Sequence, residues 1–211
     1  SSGEGLSDIF RGIGADCLIE GGQTMNPSTE DMLKAIERVN AENIFILPNN
    51  KNIIMAAQQA RDLTEDKNII VIPSRTVPQG ITALVNFMPD LGPEENTRTM
   101  TEEMGNVRTA QITYAVRTTN IDGIDIEEGD IMALGDHGIL AVGKSVDGVA
   151  LEAMKEMLDD ESELVTIFYG ADVSEHEAKV LEEQAQEQYP DKEIELQYGG
   201  QPIYYYLISA E

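Results

Sequence analysis

The chain has 211 residues, 41% of them hydrophobic, enough for one large α/β domain or two small lobes with cores of their own. Fourteen basic residues stand against 39 acidic ones, giving a net charge of −25. Such a surface repels nucleic acid and anionic lipid headgroups and attracts a basic partner. No apolar run reaches the roughly twenty residues of a membrane-spanning helix. The start, Ser1-Ser2-Gly3-Glu4-Gly5-Leu6, has no basic-then-apolar signal pattern.

Without an initiator Met the chain reads as a fragment or a processed product, with Gly3-x-Gly5 as the turn after a preceding strand. The single cysteine, Cys17, excludes an internal disulfide and fits a reducing compartment, so a cytoplasmic location is expected. In its apolar run Cys17 reads as a small core residue.

Taken in order, Leu6 to Ile13 predicts a short helix with Leu6, Ile9, Phe10 and Ile13 on one face. Cys17-Leu18-Ile19 predicts a strand. The stretch from Gly21 to Asp31 then packs a glycine pair, an amide, hydroxyls, a proline and two acids in front of an apolar helical pattern. Ser28 or Thr29 is the expected N-cap, and Glu30 and Asp31 suit the first turn of the helix to Asn40. Ile44 to Leu47 predicts a buried strand, closed by Pro48-Asn49-Asn50-Lys51-Asn52, and Ile53 to Leu63 a helix. Asn68 to Pro73 predicts a further strand, followed by the loop Ser74 to Gly80 and a helix from Ile81 to Phe87.

Strand, loop and helix thus recur three times. Continuous apolar strands predict a parallel sheet covered on both faces. The three loops, around Gly22, Asn50 and Thr76, should then share the carboxyl edge of that sheet, where open α/β sheets place ligands. The same residues also make well-formed turns and caps, and spacing alone does not separate the two readings.

Pro89 to Asn96 is a composition shift and the best linker candidate, giving lobes at 1–93 and 94–211. A helical piece, Glu94 to Val107, opens the second half. Strands are expected at Gln111 to Thr118, Asp130 to Leu134, Ile139 to Val142, Leu164 to Tyr169, Ile194 to Tyr198 and Ile203 to Ile208, with a turn at Asp122-Gly123. Helices are expected at Gly148 to Leu158 and Glu175 to Tyr189. Gly135 to Gly138 reads as a hairpin loop, so antiparallel pairing is expected beside it. This half reads as α+β with a mixed sheet. Tyr204-Tyr205-Tyr206 alternates, so at least one ring should be core and one exposed.

No catalytic set emerges. There is no Gly-x-x-x-x-Gly-Lys-Ser/Thr, and Gly12-x-Gly14 lacks a third glycine at the fingerprint spacing. His137 reads as a loop residue, His176 as solvent-facing, and with one cysteine they make no zinc spacing. Asp159-Asp160-Glu161 and Glu182-Glu183 read as solvated acids. The loops offer Gln23, Thr24, Asn26, Ser28, Asn49, Asn50, Asn52, Ser74 and Thr76, with Arg75 as the cation, a set suited to binding a carboxylate or phosphate.

Three segments in this order, Gln23-Thr24-Met25-Asn26-Pro27-Ser28, Pro48-Asn49-Asn50-Lys51-Asn52 and Val71-Ile72-Pro73-Ser74-Arg75-Thr76-Val77, resemble the DegV-like fatty-acid-binding proteins. Ala171-Asp172, the helix after it, and Tyr189-Pro190-Asp191 look like their second lobe. Gly3 to Phe10, Gly14-Ala15-Asp16 and Gly21 to Asp31 are similar, more specifically, to the carboxy-terminal domain of the large subunit of bacterial fatty acid kinase. That resemblance covers essentially the whole chain. It implies a two-lobed α/β fold with a parallel three-layer first lobe and an α+β second lobe. In that family, a separate domain similar to dihydroxyacetone kinases holds ATP and metal through an acidic motif. A DegV-like small subunit presents the fatty acid for phosphorylation.

The resemblance therefore implies a non-catalytic domain without cofactor, ATP and Mg belonging to the separate kinase domain of an acyl-phosphate-forming phosphotransferase. Its expected partners are the DegV-like fatty-acid-binding protein and the remainder of the large subunit, with Glu182 and Glu183 contributing attraction. In the carriers, loop hydroxyls and a histidine of a His-Thr-Gly-Pro-Gly stretch hold the carboxylate. Here Asn49, Asn50 and Asn52 replace serines and Gly200-Gln201-Pro202 has no histidine, so the clamp is incomplete. The alternative is a module that binds a small carboxylate or fatty acid through the three loops.

Overall fold

A computed structural model describes residues 2–21, 26–121 and 123–211. The chain divides into two compact units, one of Leu6–Val107 with Ser2, the other of Arg108–Glu211 with Gly3–Gly5.

The first unit holds five helices and two strands among the described residues: α1 (Glu4–Gly12), α2 (Thr29–Arg38), β1 (Asn43–Ile46), α3 (Lys51–Leu63), β2 (Asn68–Val71), α4 (Val77–Val85) and α5 (Pro93–Gly105). β1 and β2 pair in parallel, Ile44 opposite Ile69. Side chains alternate across a strand, and both faces are covered. Ile44 and Ile69 pack with Met32 and Ile36 of α2 and Ile53, Ala57 and Ala60 of α3. Phe45 and Ile70 turn the other way, onto Ile72, Ala83 of α4, and Met100 and Met104 of α5. The lobe is therefore helix, sheet, helix in three layers.

Two expectations differ here. Cys17-Leu18-Ile19, three half-buried residues, forms no strand among the described residues. The unit boundary falls after Val107 rather than at 93/94. Pro93 opens α5 at its first turn, where the missing N–H costs nothing. Met100 and Met104 then fix that helix in the first core.

The second unit contains β3 (Arg108–Tyr114), β4 (Thr119–Ile121), β5 (Ile124–Ile126), β6 (Ile131–Gly135), β7 (Ile139–Gly143), α6 (Val146–Met157), β8 (Leu164–Tyr169), α7 (Glu175–Gln188), β9 (Glu193–Tyr198) and β10 (Tyr206–Ala210). Six strands form one mixed sheet in the order β7-β6-β3-β10-β8-β9, with β8 and β9 parallel and the other neighbours antiparallel. The last strand sits in the middle. Both helices pack on one face: Val149, Ala153 and Met154 of α6 and Ala178, Leu181 and Ala185 of α7 meet Ile112, Ile167 and Ile208 of the sheet. β4 and β5 form a separate hairpin; Asp122 of its expected turn lies outside the described residues.

β10 begins at Tyr206, not at Ile203, because Ile203 adopts a φ of 73°, which breaks the extended run. Of the three consecutive tyrosines, Tyr206 is core and the other two are half-buried, so the expected exposed ring is not among them.

Candidate functional site

Parallel pairing of β1 with β2 brings the loops that follow them to the same edge of the first sheet. Ser74 is fully buried there. Its Oγ donates to Asn49 Oδ1 at 2.8 Å and accepts from the Asn49 N–H at 3.0 Å. Asn49 has a φ of 57°, in the left-handed region that asparagine tolerates better than most residues. A Cβ at Gly80 would lie 1.8 Å from Asn49 Oδ1, so the glycine of α4 leaves room for this amide. The two loops are thus stitched to each other.

The remaining polar groups close helix ends. Ser28 is the N-cap of α2: its Oγ accepts from the Asp31 N–H at 3.2 Å, and the Asp31 carboxylate accepts from the Ser28 N–H at 2.8 Å, a complete capping box. That backbone hydrogen bond from Ser28 is the largest of the influences holding the Asp31 carboxyl below the usual range. Asn50 Oδ1 accepts from the Asn52 N–H at 2.9 Å and caps α3. Thr76 accepts from the Gln79 N–H and caps α4. Arg75 is exposed, and its backbone N–H donates to Gln79 Oε1 at 2.8 Å. Asn26 and Asn52 are exposed. Gln23 and Thr24 lie outside the described residues.

Beside this edge lies a cavity of about 260 Å³ within the first unit. Gly21, Pro27, Asn49 and Asn50 line it together with Ile19, Ile36, Ile44, Phe45, Ile53, Phe87 and Met100. β1 has β2 as its one partner among the described strands, and residues 14–19 run past the cavity without joining the sheet. The three residues of the expected first strand, Cys17, Leu18 and Ile19, thus line the cavity. The apolar lining was visible in the sequence only as core pattern.

Glu182 is half-buried and Glu183 exposed on α7. His137 and His176 are exposed. Cys17 is half-buried rather than core, with Arg38 Nη2 donating to its sulfur at 2.8 Å. Among the described residues no group of three or more His, Cys, Asp or Glu could hold a metal ion, and no helix is long and apolar enough to cross a membrane.

A three-layer α/β unit followed by a mixed sheet with two helices on one face is the two-lobed architecture of the DegV family. A DegV family protein from Corynebacterium glutamicum superimposes with a TM-score of 0.67 at 12% identity, over 97% of this chain and 92% of that one. The Streptococcus pneumoniae fatty acid kinase B3 protein, solved loaded with linoleic acid, superimposes with a TM-score of 0.61 at 16% identity, over 88% and 76%. The chain belongs to the FakA-like family of fatty acid kinase C-terminal domains, whose model matches residues 1–211. It is 47% identical over 209 residues to protein YloV of Bacillus subtilis, covering 99% of this chain and 38% of that protein. The chain thus spans well under half the length of the curated relatives it matches.

Proposed function

We propose that this domain acts by protein–protein contact, docking a DegV-like fatty-acid-binding subunit so that a separate ATP-binding kinase domain can phosphorylate the bound acid. The observation that carries this reading is the use made of the loop groups. Ser28, Asn50 and Thr76 cap helices, and Ser74 and Asn49 bind each other. A buried carboxylate needs several donors to offset its desolvation, and two of the loop hydroxyls already donate within the protein, Ser28 to Asp31 and Ser74 to Asn49. The incomplete clamp and the net charge of −25 point the same way, toward a macromolecular partner with a basic face. The partners are then the acyl carrier and the rest of the kinase large subunit, in the cytoplasm, and this domain is silent in catalysis.

Size-exclusion chromatography with light scattering tests the reading. The chain and the organism's own DegV-like subunit should co-elute as a complex; separate elution at micromolar concentrations would overturn it.

The cavity beside β1 favours a second reading, a module for a fatty acid or another apolar carboxylate. Native mass spectrometry separates the two. On the docking reading no acyl chain copurifies; a stoichiometric acyl adduct would establish the second.

A further inference from the structure

Six of the seven tyrosines gather at one end of the second unit's sheet. Tyr206 stands opposite Tyr169, Tyr169 opposite Tyr198, and β3 runs out at Tyr114 beside the same end of β10. Tyr204 and Tyr205 lead into β10 there. The rings are braced in pairs, Tyr169 with Tyr198 at 5.2 Å between centroids and Tyr114 with Tyr205 at 6.1 Å. Each pair joins a half-buried ring to an exposed one; Tyr198 is 48% and Tyr114 38% exposed. An aromatic held this way loses little entropy on contact.

Beyond Tyr114 the apolar surface continues. Val116 is 75% exposed, and Ile121 and Ile124, directly paired across the β4–β5 hairpin, are also exposed. Among the described residues this hairpin pairs with no other strand. Single exposed apolar residues need no explanation, but aromatic and aliphatic residues grouped at one end mark an interaction surface.

The charge around them narrows the occupant. The described residues of 114–130 carry four acids, Asp125, Glu127, Glu128 and Asp130, against Arg117 alone. Lys144 answers Glu127 and Asp130, at 2.8 and 2.5 Å, and Asn120 Nδ2 donates to Asp125 at 2.7 Å. Glu128 is exposed and its carboxylate makes no ion pair among the described residues, so it stays available on the rim. Nucleic acid and anionic lipid are repelled by this sign of charge. An arginine satisfies both parts of the surface, its plane on a tyrosine face and its fork on a carboxylate.

We infer that the tyrosine end of the second unit, with Val116 and the β4–β5 hairpin, is a protein-docking face. Its occupant is a protein surface with an apolar centre and an arginine- or lysine-bearing rim. The inference rests on the docking reading above and names the face that performs it.

Surface plasmon resonance with the full chain immobilised and the organism's own DegV-like fatty-acid-binding protein as analyte tests it. Val116→Ser and Val116→Ser/Ile124→Ser remove exposed side chains, and circular dichroism checks that both variants fold. The double variant should raise the dissociation rate by about tenfold or more while the association rate changes by less than about twofold. Leu63→Ser, an exposed apolar position of the first unit, should change neither. Val116→Arg should weaken binding more than Val116→Glu, because it sets a cation against the basic rim. Wild-type binding with an unaltered double variant would overturn the face and leave the docking reading standing. A greater loss with Val116→Glu would overturn the basic rim. No binding by the wild-type chain would overturn the docking reading and its face together.

Discussion

Ser74 and Asn49, from different loops, exchange two hydrogen bonds, Oγ to Oδ1 at 2.8 Å and N–H to Oγ at 3.0 Å, at a fully buried hydroxyl. Ser74→Ala leaves the Asn49 N–H and Oδ1 without these partners inside the protein. It should destabilise the first unit by about 1–3 kcal/mol, read by urea unfolding. An unchanged midpoint would mean that the two loops are held by packing alone.

Gly5 makes a similarly close approach in the second unit. A Cβ there would lie 2.0 Å from the Tyr198 carbonyl oxygen, with Gly3 packed on Gly199 and Gln201. Backbone cannot give way as a side-chain tip does. Gly5→Ala should therefore lift residues 3–5 from the β9 end, with a stability loss of about 1–3 kcal/mol. Limited proteolysis near the amino end should accelerate in step; a cleavage rate equal to wild type would contradict the packing.

Much of this was legible in the chain. Leu164–Tyr169 reads as a strand and is one, a short run rich in β-branched and aromatic residues between polar stretches. Ser28 with Asp31 announces the start of α2. Two kinds of feature were not legible. Pro78 and Gly80 look like loop, yet Pro78 suits the first turn of α4 and Gly80 makes way for Asn49, a contact set by another loop. The central place of β10 and the gathering of Tyr114, Tyr169 and Tyr198 beside Tyr206 depend on long-range register, which local periodicity does not encode. The candidate loop residues were visible as polar groups, but whether they face a ligand or a helix end is decided by backbone geometry.

Arg108 holds the Asp159 carboxyl down to about 2, chiefly through their hydrogen bond, with Ser162 donating as well. The folded value is lower than the usual 3.8, so this group's contribution is present above about pH 4 and is lost as pH falls toward 2. In Arg108→Met the carboxyl should titrate near its ordinary value, measured by carbon-detected NMR. A midpoint still near 2 would assign the shift to Ser162 and the backbone instead.

Because the sequence carries no Gly-x-x-x-x-Gly-Lys-Ser/Thr phosphate loop, calorimetric titration of the chain with ATP and Mg should give no binding heat up to millimolar ligand. Micromolar binding would place a nucleotide function in this domain and contradict its silent role.

The docking role stands or falls on the approach of the carrier. Screening shortens the field of the acidic surface to about 8 Å at physiological salt, so attraction acts on encounter more than on the final contacts. Glu182, half-buried, and Glu183, exposed, lie on α7 and contribute to that field. The decisive measurement is the association rate of the DegV-like subunit with this chain, by surface plasmon resonance from low to high salt. The expected result is a rate that falls steeply with salt at nearly constant dissociation, and that falls further in Glu182→Lys/Glu183→Lys than in a matched reversal on the first unit. A flat association rate would leave the acidity to solubility alone, and an absence of binding at every salt concentration would contradict the docking role itself.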